Sequence, residues 1–246
     1  MSRSIAVAAF TIALLSAATV HAADKVPKAI TAAVADAARP AADKERDANR
    51  KPAEVVAFAG VKPGMKVAEL SPGGGYYTRI LAKSVGPKGK VYALLNPGAA
   101  ARPGMLDAMN KLVAEYPNVT VVTTDYAAIM LPEKVDLFWT TENYHDFHNG
   151  PTANVAGLNK SVFDNLKPRG IFYVEDHNAA DGAGPEATSK FHRMDVAIAK
   201  TELMAAGFKL DGEGTVLKNP ADNRAGSNGE SGHFVTDRFM LRMKRP

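Results

Sequence analysis

From residue 66 onward, short apolar runs alternate with stretches of helical periodicity, and this alternation narrows the fold class more than any other feature. Strand-like runs fall at 67–70, 91–95, 119–123, 135–140 and 170–174, with helical segments at 76–84, 105–116 and 153–165. Strands buried on both faces read as near-continuous Val/Leu runs, and crossover helices cover those faces. The pattern therefore predicts a doubly wound, mostly parallel α/β sheet of Rossmann-like type with helices on both faces. A long helix at 186–206 ends at Gly207, and final strands at 208–217 and 237–243 bring the count to seven. With only an irregular segment between them, those last two predict an antiparallel hairpin at one edge. Residues 219–233, rich in Gly, Asn, Ser and Asp, read as a loop.

The N-terminus has a different character. Arg3, an apolar run at 5–20 and Val20-His21-Ala22 have the form of a cleavable leader, so residues 1–22 are expected to be a signal peptide. The mature chain is then exported, to the periplasm in a bacterium, with no stable membrane insertion after cleavage. Residues 23–51 read as a mobile arm followed by a helix from about residue 41, and 52–246 as one domain. The chain has no cysteine, so packing must stabilise it without disulfides. The formal charge of +4 is spread and interleaved with acids, which argues against a nucleic-acid partner. Nothing in the sequence specifies an oligomeric state.

Ser71-Pro-Gly-Gly-Gly75 hangs on the first strand. A strand that turns through glycines into a helix presents bare backbone N–H groups to a ligand, and Glu69 adds an acceptor for ammonium or hydroxyl groups. This points to a nucleotide-like small molecule. A dinucleotide site would want a third glycine near Thr78 and an acid after the second strand, and both are missing.

Glu142-Asn-Tyr-His-Asp-Phe-His148 follows the fourth strand and Glu175-Asp-His177 the fifth. Ligands of open α/β sheets sit outside the carboxyl ends of the strands, so both segments are candidates for chemistry. In one mechanism His145 or His148 is a general base, with Glu142 and Tyr144 orienting substrate or base. In the other, Asp146 and Asp176, with His145 or His177, hold a divalent metal that acidifies a substrate oxygen. His192, Arg193 and Asp195 read as a solvated face of the long helix, and Arg46, Asp47 and Arg50 as surface salt bridging. Trp139 reads as packing.

Val67-Ala-Glu-Leu-Ser-Pro-Gly-Gly-Gly-Tyr-Tyr-Thr78 is similar to the first motif of class I S-adenosylmethionine-dependent methyltransferases, and Leu166-Lys-Pro-Arg-Gly170 resembles their common Leu-Lys-Pro-Gly-Gly. The leader, Pro-Gly-Gly-Gly-Tyr-Tyr-Thr and the Tyr-His-Asp-Phe-His segment resemble, more narrowly, a group of exported bacterial predicted methyltransferases. The resemblance covers residue 52 to the end. It implies S-adenosylmethionine as cofactor and methyl transfer to an O or N nucleophile of a small molecule. It also implies cofactor contacts from Glu69, Ser71, Gly73, Gly74, Gly75, Tyr77, Asn96 and Asp125, the last at the adenine amino group. One departure stands out. Leu94-Leu95-Asn96 lacks the acid that usually grips the ribose hydroxyls, and Asn96 lacks a carboxylate's charge. The alternative is an exported small-molecule-binding module that keeps the fold without catalysis. Asn96 favours the module, and the polar cluster at 142–148 favours the enzyme.

Overall fold

A computed structural model describes residues 26–229 and 235–246. The expected leader at 1–22, the first residues of the arm and positions 230–234 lie outside the described residues. Four N-terminal helices come first: α1 (Lys28–Val34), α2 (Ala41–Lys44), α3 (Asp47–Arg50) and α4 (Pro52–Ala59). Then follow β1 (Lys66–Leu70), α5 (Tyr76–Val85), β2 (Lys90–Leu95), α6 (Pro97–Ala100), α7 (Met105–Glu115) and β3 (Val119–Thr123). The chain continues through β4 (Val135–Thr141), α8 (Val155–Asn165) and β5 (Leu166–His177). It closes with α9 (Ala187–Lys190), α10 (Val196–Ala205), β6 (Lys209–Gly214) and β7 (Arg238–Lys244). Single 3-10 turns stand at Tyr126–Ala128 and His145–His148.

The strands form one sheet in the order β3-β2-β1-β4-β5-β7-β6. β1 to β5 are parallel, while β7 runs antiparallel to both β5 and β6, so the expected sheet and edge hairpin are both present. Alternate strand residues feed two cores, as the pleat requires. Val67, Val91, Leu137, Trp139 and Tyr173 face α1, α4, α5 and α7. Leu70, Leu94, Phe138, Phe172 and Val174 face α8 and α10. After β3 the chain crosses back over β2 and β1 to lay down β4. That reversal opens a crevice at the carboxyl ends of β1 and β4, the usual place for a ligand in such sheets.

Four expectations need correction. Part of the expected arm is helical at residues 28–34, where α1 buries Ile30 and Ala33 in the core shared with α5. The helix expected from residue 41 is split into α2 and α3, and Lys51 at φ 42° ends α3 before Pro52 starts α4. The long helix at 186–206 is broken as well. His192 takes a left-handed φ of 50°, and Asp195 starts α10 anew by accepting from the Ala197 N–H at 2.9 Å. Arg193 is fully buried, bonded to Asp222 at 2.8 Å and to the carbonyl oxygens of Asn178 and Gly226, and Asp195 is buried as well, so of the expected solvated face only His192 is exposed. Finally, β5 runs on through Glu175, Asp176 and His177, which are buried strand residues rather than a loop. Among the described residues, no helix is long and apolar enough to cross a membrane.

Candidate functional site

After β1 the backbone turns through left-handed conformations at Ser71 (φ 53°), Gly73 (φ 56°) and Gly75 (φ 83°) into α5. Its glycines serve two ends. A Cβ at Gly75 would stand 2.2 Å from Leu112 Cδ1, so that glycine exists for close packing of α7. Gly73 and Gly74 are exposed, and a Cβ on either meets nothing within 4 Å, so their backbone is the open side of the bend. Tyr126 buckles the bend to β2, and sequence reasoning missed it. Its hydroxyl donates to the Leu94 carbonyl at 2.7 Å and accepts from Ser71 N–H at 3.1 Å, with Ser71 Oγ also at 3.1 Å.

Glu69 lies behind the bend, buried, accepting from Thr78 Oγ1 at 2.6 Å. Burial pushes its carboxyl up to about 7, against the Thr78 hydrogen bond and the Arg79 charge. The folded state therefore holds a proton that the unfolded chain releases near 4.5, and this contribution to stability fades as pH rises toward 7. Thermal midpoints of wild type are expected to fall with pH across that window relative to Glu69→Gln. Parallel curves for the two proteins would show that Glu69 is ionised throughout. Tyr77 sits deeper, its ring 4.9 Å from Trp139 and its hydroxyl donating to the Arg50 carbonyl at 3.4 Å.

A cavity of about 520 Å³ opens at the carboxyl ends of β2, β3 and β4, lined among others by Asn96, Asp125, Tyr126, Asp146, Phe147 and Leu158. Asn96 Oδ1 accepts from Ala99 N–H at 2.7 Å and Asp125 Oδ1 from Ala127 N–H at 2.9 Å, which fixes both side chains at the rim. Tyr126 and Phe147 meet edge-on, centroids 5.5 Å apart, and form an apolar wall between these polar groups. An apolar slot with an amide and a carboxylate at its rim fits a nucleoside. The exposed Gly73–Gly74 backbone nearby fits the polar tail of one. The residues present suit the nucleoside part of S-adenosylmethionine: of the expected cofactor contacts Asn96 and Asp125 line the cavity, whereas Glu69, Ser71, Gly73, Gly74, Gly75 and Tyr77 do not.

The structure divides the polar segment 142–148. Glu142 (φ 55°) turns toward the ends of β5 and β7, where Arg50 and Arg238 pair with its two oxygens. Arg50 is thus part of a buried network and no surface group. Asp47, expected at the surface with it, takes a bidentate bond from buried Arg39 and a 2.6 Å bond from the Tyr76 hydroxyl. Tyr144 is fully buried, accepting from Asn159 Nδ2 at 2.8 Å and donating to Glu202 at 3.1 Å. His148 Nε2 also meets Glu202, at 3.0 Å; burial resists its charged form, but the Glu202 carboxylate raises the pKa.

His145 is different. Its Nδ1 is 2.8 Å from Asp176 Oδ1 and its Nε2 3.3 Å from Asp146 Oδ1. Burial disfavours the imidazolium, yet the Asp176 and Asp146 carboxylates outweigh it and lift the pKa to about 10. In this arrangement His145 carries its proton at neutral pH and is not a ready base. Asp176, fully buried, also accepts from the backbone N–H groups of His145 and His177, each at 2.7 Å, so its oxygens face protein. His177 Nδ1 meets Thr236 Oγ1 at 2.6 Å. Of the expected catalytic and metal-binding side chains, Asp146 alone lines the cavity, with His145 one contact behind it. His192, not expected in any site, approaches the same Asp146 oxygen at 3.7 Å.

No protein-family model matches the chain, and no curated protein matches it. Solved structures do. A SAM-dependent methyltransferase from Aquifex aeolicus superposes with a TM-score of 0.58 at 21% identity, covering 85% of this chain and 99% of its own. Aeropyrum pernix fibrillarin, with natively bound S-adenosyl-L-methionine, gives 0.50 at 17% identity over 80% and 76%. The [4+2]-cyclase SpnF gives 0.59 at 13% identity over 84% and 81%. The chain has the Rossmann-like class I methyltransferase fold. At these identities the likeness speaks to fold alone, and the cyclase shows that the fold also serves proteins named for other chemistry.

Proposed function

We propose that this protein is an S-adenosylmethionine-dependent methyltransferase acting on an O or N nucleophile of a small molecule. The observation that carries the reading is the cavity at the carboxyl ends of β2, β3 and β4, with Asn96 and Asp125 at its rim. Its wall residue Tyr126 is bonded to Ser71 at the start of the glycine bend, whose Gly73 and Gly74 are open. When bound, S-adenosylmethionine supplies an electrophilic methyl group on a sulfonium. Asp125 accepts from an exocyclic amine, Asn96 hydrogen-bonds a ribose hydroxyl, and Tyr126 with Phe147 encloses the base. The Gly73 and Gly74 N–H groups hold the carboxylate end. Asp146, which both lines the cavity and touches His145, would orient the acceptor's O–H or N–H. With its leader, the enzyme would act outside the cytoplasm.

The test is a calorimetric titration with S-adenosylhomocysteine. Wild type is expected to bind one equivalent, and Asp125→Ala to bind about 10-fold more weakly, the loss of one rim hydrogen bond of about 1.4 kcal/mol. Equal affinities would remove Asp125 from the site. No heat and no thermal shift at millimolar ligand would favour the non-catalytic module instead.

A further inference from the structure

His145, Asp146 and His192 place one potential ligand atom each within 4.8 Å of the others. The measured pairs are His145 Nε2 to Asp146 Oδ1 at 3.3 Å and His192 Nδ1 to the same oxygen at 3.7 Å. In a tetrahedral zinc site with bonds of about 2.0–2.1 Å, neighbouring ligand atoms stand about 3.4 Å apart. The spacing is therefore close to that of a metal site, with two imidazoles and one carboxylate around a prospective ion that would take the place of the proton between His145 Nε2 and Asp146.

A second, independent feature points the same way. Ligating histidines characteristically pass their other ring N–H to a carboxylate, which fixes the tautomer and aims the lone pair at the metal. Here fully buried Asp176 takes His145 Nδ1 at 2.8 Å and His145 N–H at 2.7 Å, so Nε2 is the nitrogen presented to Asp146 and His192. An acid placed in the interior at the end of β5 has no role in the cavity, yet it serves as an orienting group.

His192 is also built in rather than merely nearby. Backbone bonds from Met194 N–H to the His177 carbonyl (2.8 Å) and from Ala179 N–H to the Met194 carbonyl (2.9 Å) bind its segment to the end of β5. Asn228 Nδ2 donates to the His192 carbonyl at 3.1 Å, and buried Arg193 anchors the next position. Asn149 ties the 145–148 turn to α9 through Thr188. The two elements that supply the three ligands are thereby locked together. The left-handed φ at His192 is the conformation that this arrangement imposes.

We infer that His145, Asp146 and His192 form a binding site for a first-row divalent transition metal such as zinc, with Asp176 as the residue that positions His145. Two nitrogens and one oxygen suit zinc or iron(II) far better than magnesium or calcium, which prefer oxygen sets. Three protein ligands leave a coordination position open, and Asp146 puts the ion at the cavity edge, where it would hold an oxygen-bearing molecule. The expected ligand set of Asp146, Asp176 and His177 is thus replaced, because Asp176 is one step removed from the ion and His177 turns to Thr236.

The experiment uses chelator-treated full-length protein without an affinity tag, titrated calorimetrically with zinc chloride and, separately, magnesium chloride. One zinc equivalent is expected, with no magnesium heat. His192→Ala and Asp146→Asn should each weaken zinc at least 10-fold. His192 is half-exposed, so that variant is expected to fold as wild type does by circular dichroism. Cobalt(II) replaces zinc in a second readout, in which the visible bands should shift in His192→Ala and in Asp176→Asn, the latter reporting changed ligand orientation at constant fold. Unchanged zinc affinity in both His192→Ala and Asp146→Asn, or no binding by wild type at 100-fold molar excess, would overturn the site. No methyl donor enters either measurement, so failure here and failure of the methyltransferase reading are separate results.

Discussion

Replacing Arg238 with methionine is expected to lower the unfolding free energy by about 3–5 kcal/mol, the usual cost of removing one partner from a buried ion network. Arg238 is buried at the start of β7, where Nη1 lies 2.8 Å from Glu142 and 3.3 Å from Glu175, and Nη2 donates to the Asn49 carbonyl. Arg50 pairs with the second Glu142 oxygen. Two guanidiniums thus balance two carboxylates, and together they tie α3 to β5, β7 and the turn after β4. Methionine would fill most of the volume, but it leaves Glu175 fully buried without its cation. Burial already pushes the Glu175 carboxyl up, with Arg238 pulling the other way. Without Arg238 the remaining acids are expected to take up a proton, so the loss should be smaller at pH 5 than at pH 8. Urea denaturation at both pH values reads this directly. A loss below 1 kcal/mol at pH 8 would mean that solvent, not Arg238, neutralises the pair.

Gly75→Ala carries the next largest effect. At φ 83° an L-residue loses about 1–2 kcal/mol, and a Cβ 2.2 Å from Leu112 Cδ1 adds an overpacking cost of about 1–3 kcal/mol. Together these come to about 2–5 kcal/mol. Gly74→Ala, one residue earlier and in open space, should change stability by less than about 0.5 kcal/mol. Its effect should fall on ligand affinity, because the methyl group stands on the exposed side of the bend. Thermal denaturation of the two variants, with and without S-adenosylhomocysteine, separates packing from cradle. Equal destabilisation by both would show that the two glycines serve the fold alike.

The first five strands were legible because they are apolar on both sheet faces, Val67, Val91 and Leu137 on one and Leu70, Leu94 and Phe138 on the other, and stand between clear turn signals. The site was only half legible. Asp125 and Asn96 could be placed from their position after a strand, since the chain direction alone brings them to the crevice. Pattern reading ended β5 before Glu175, because charged residues look like loop. They remain strand because β7 pairs with them, Glu175 opposite Met240 and His177 opposite Arg238, and because Arg238 and Thr236 answer their polarity. Short α1 hid within an alanine-rich stretch, and only its burial against α5 reveals it. Tyr126, His192 and Arg238 escaped for one reason: each acts on a residue roughly 50 to 100 positions away, and no local spacing encodes such a contact.

The central claim is that the crevice at the carboxyl ends of β1 to β4 is a nucleoside-binding site. Its most direct test is a crystal structure of the protein with S-adenosylhomocysteine. The expected result is the adenine beside Asp125 and Tyr126, the ribose at Asn96 and the amino-acid tail along Gly73 and Gly74. Density for the ligand anywhere else, or an empty crevice at saturating concentration, would contradict it.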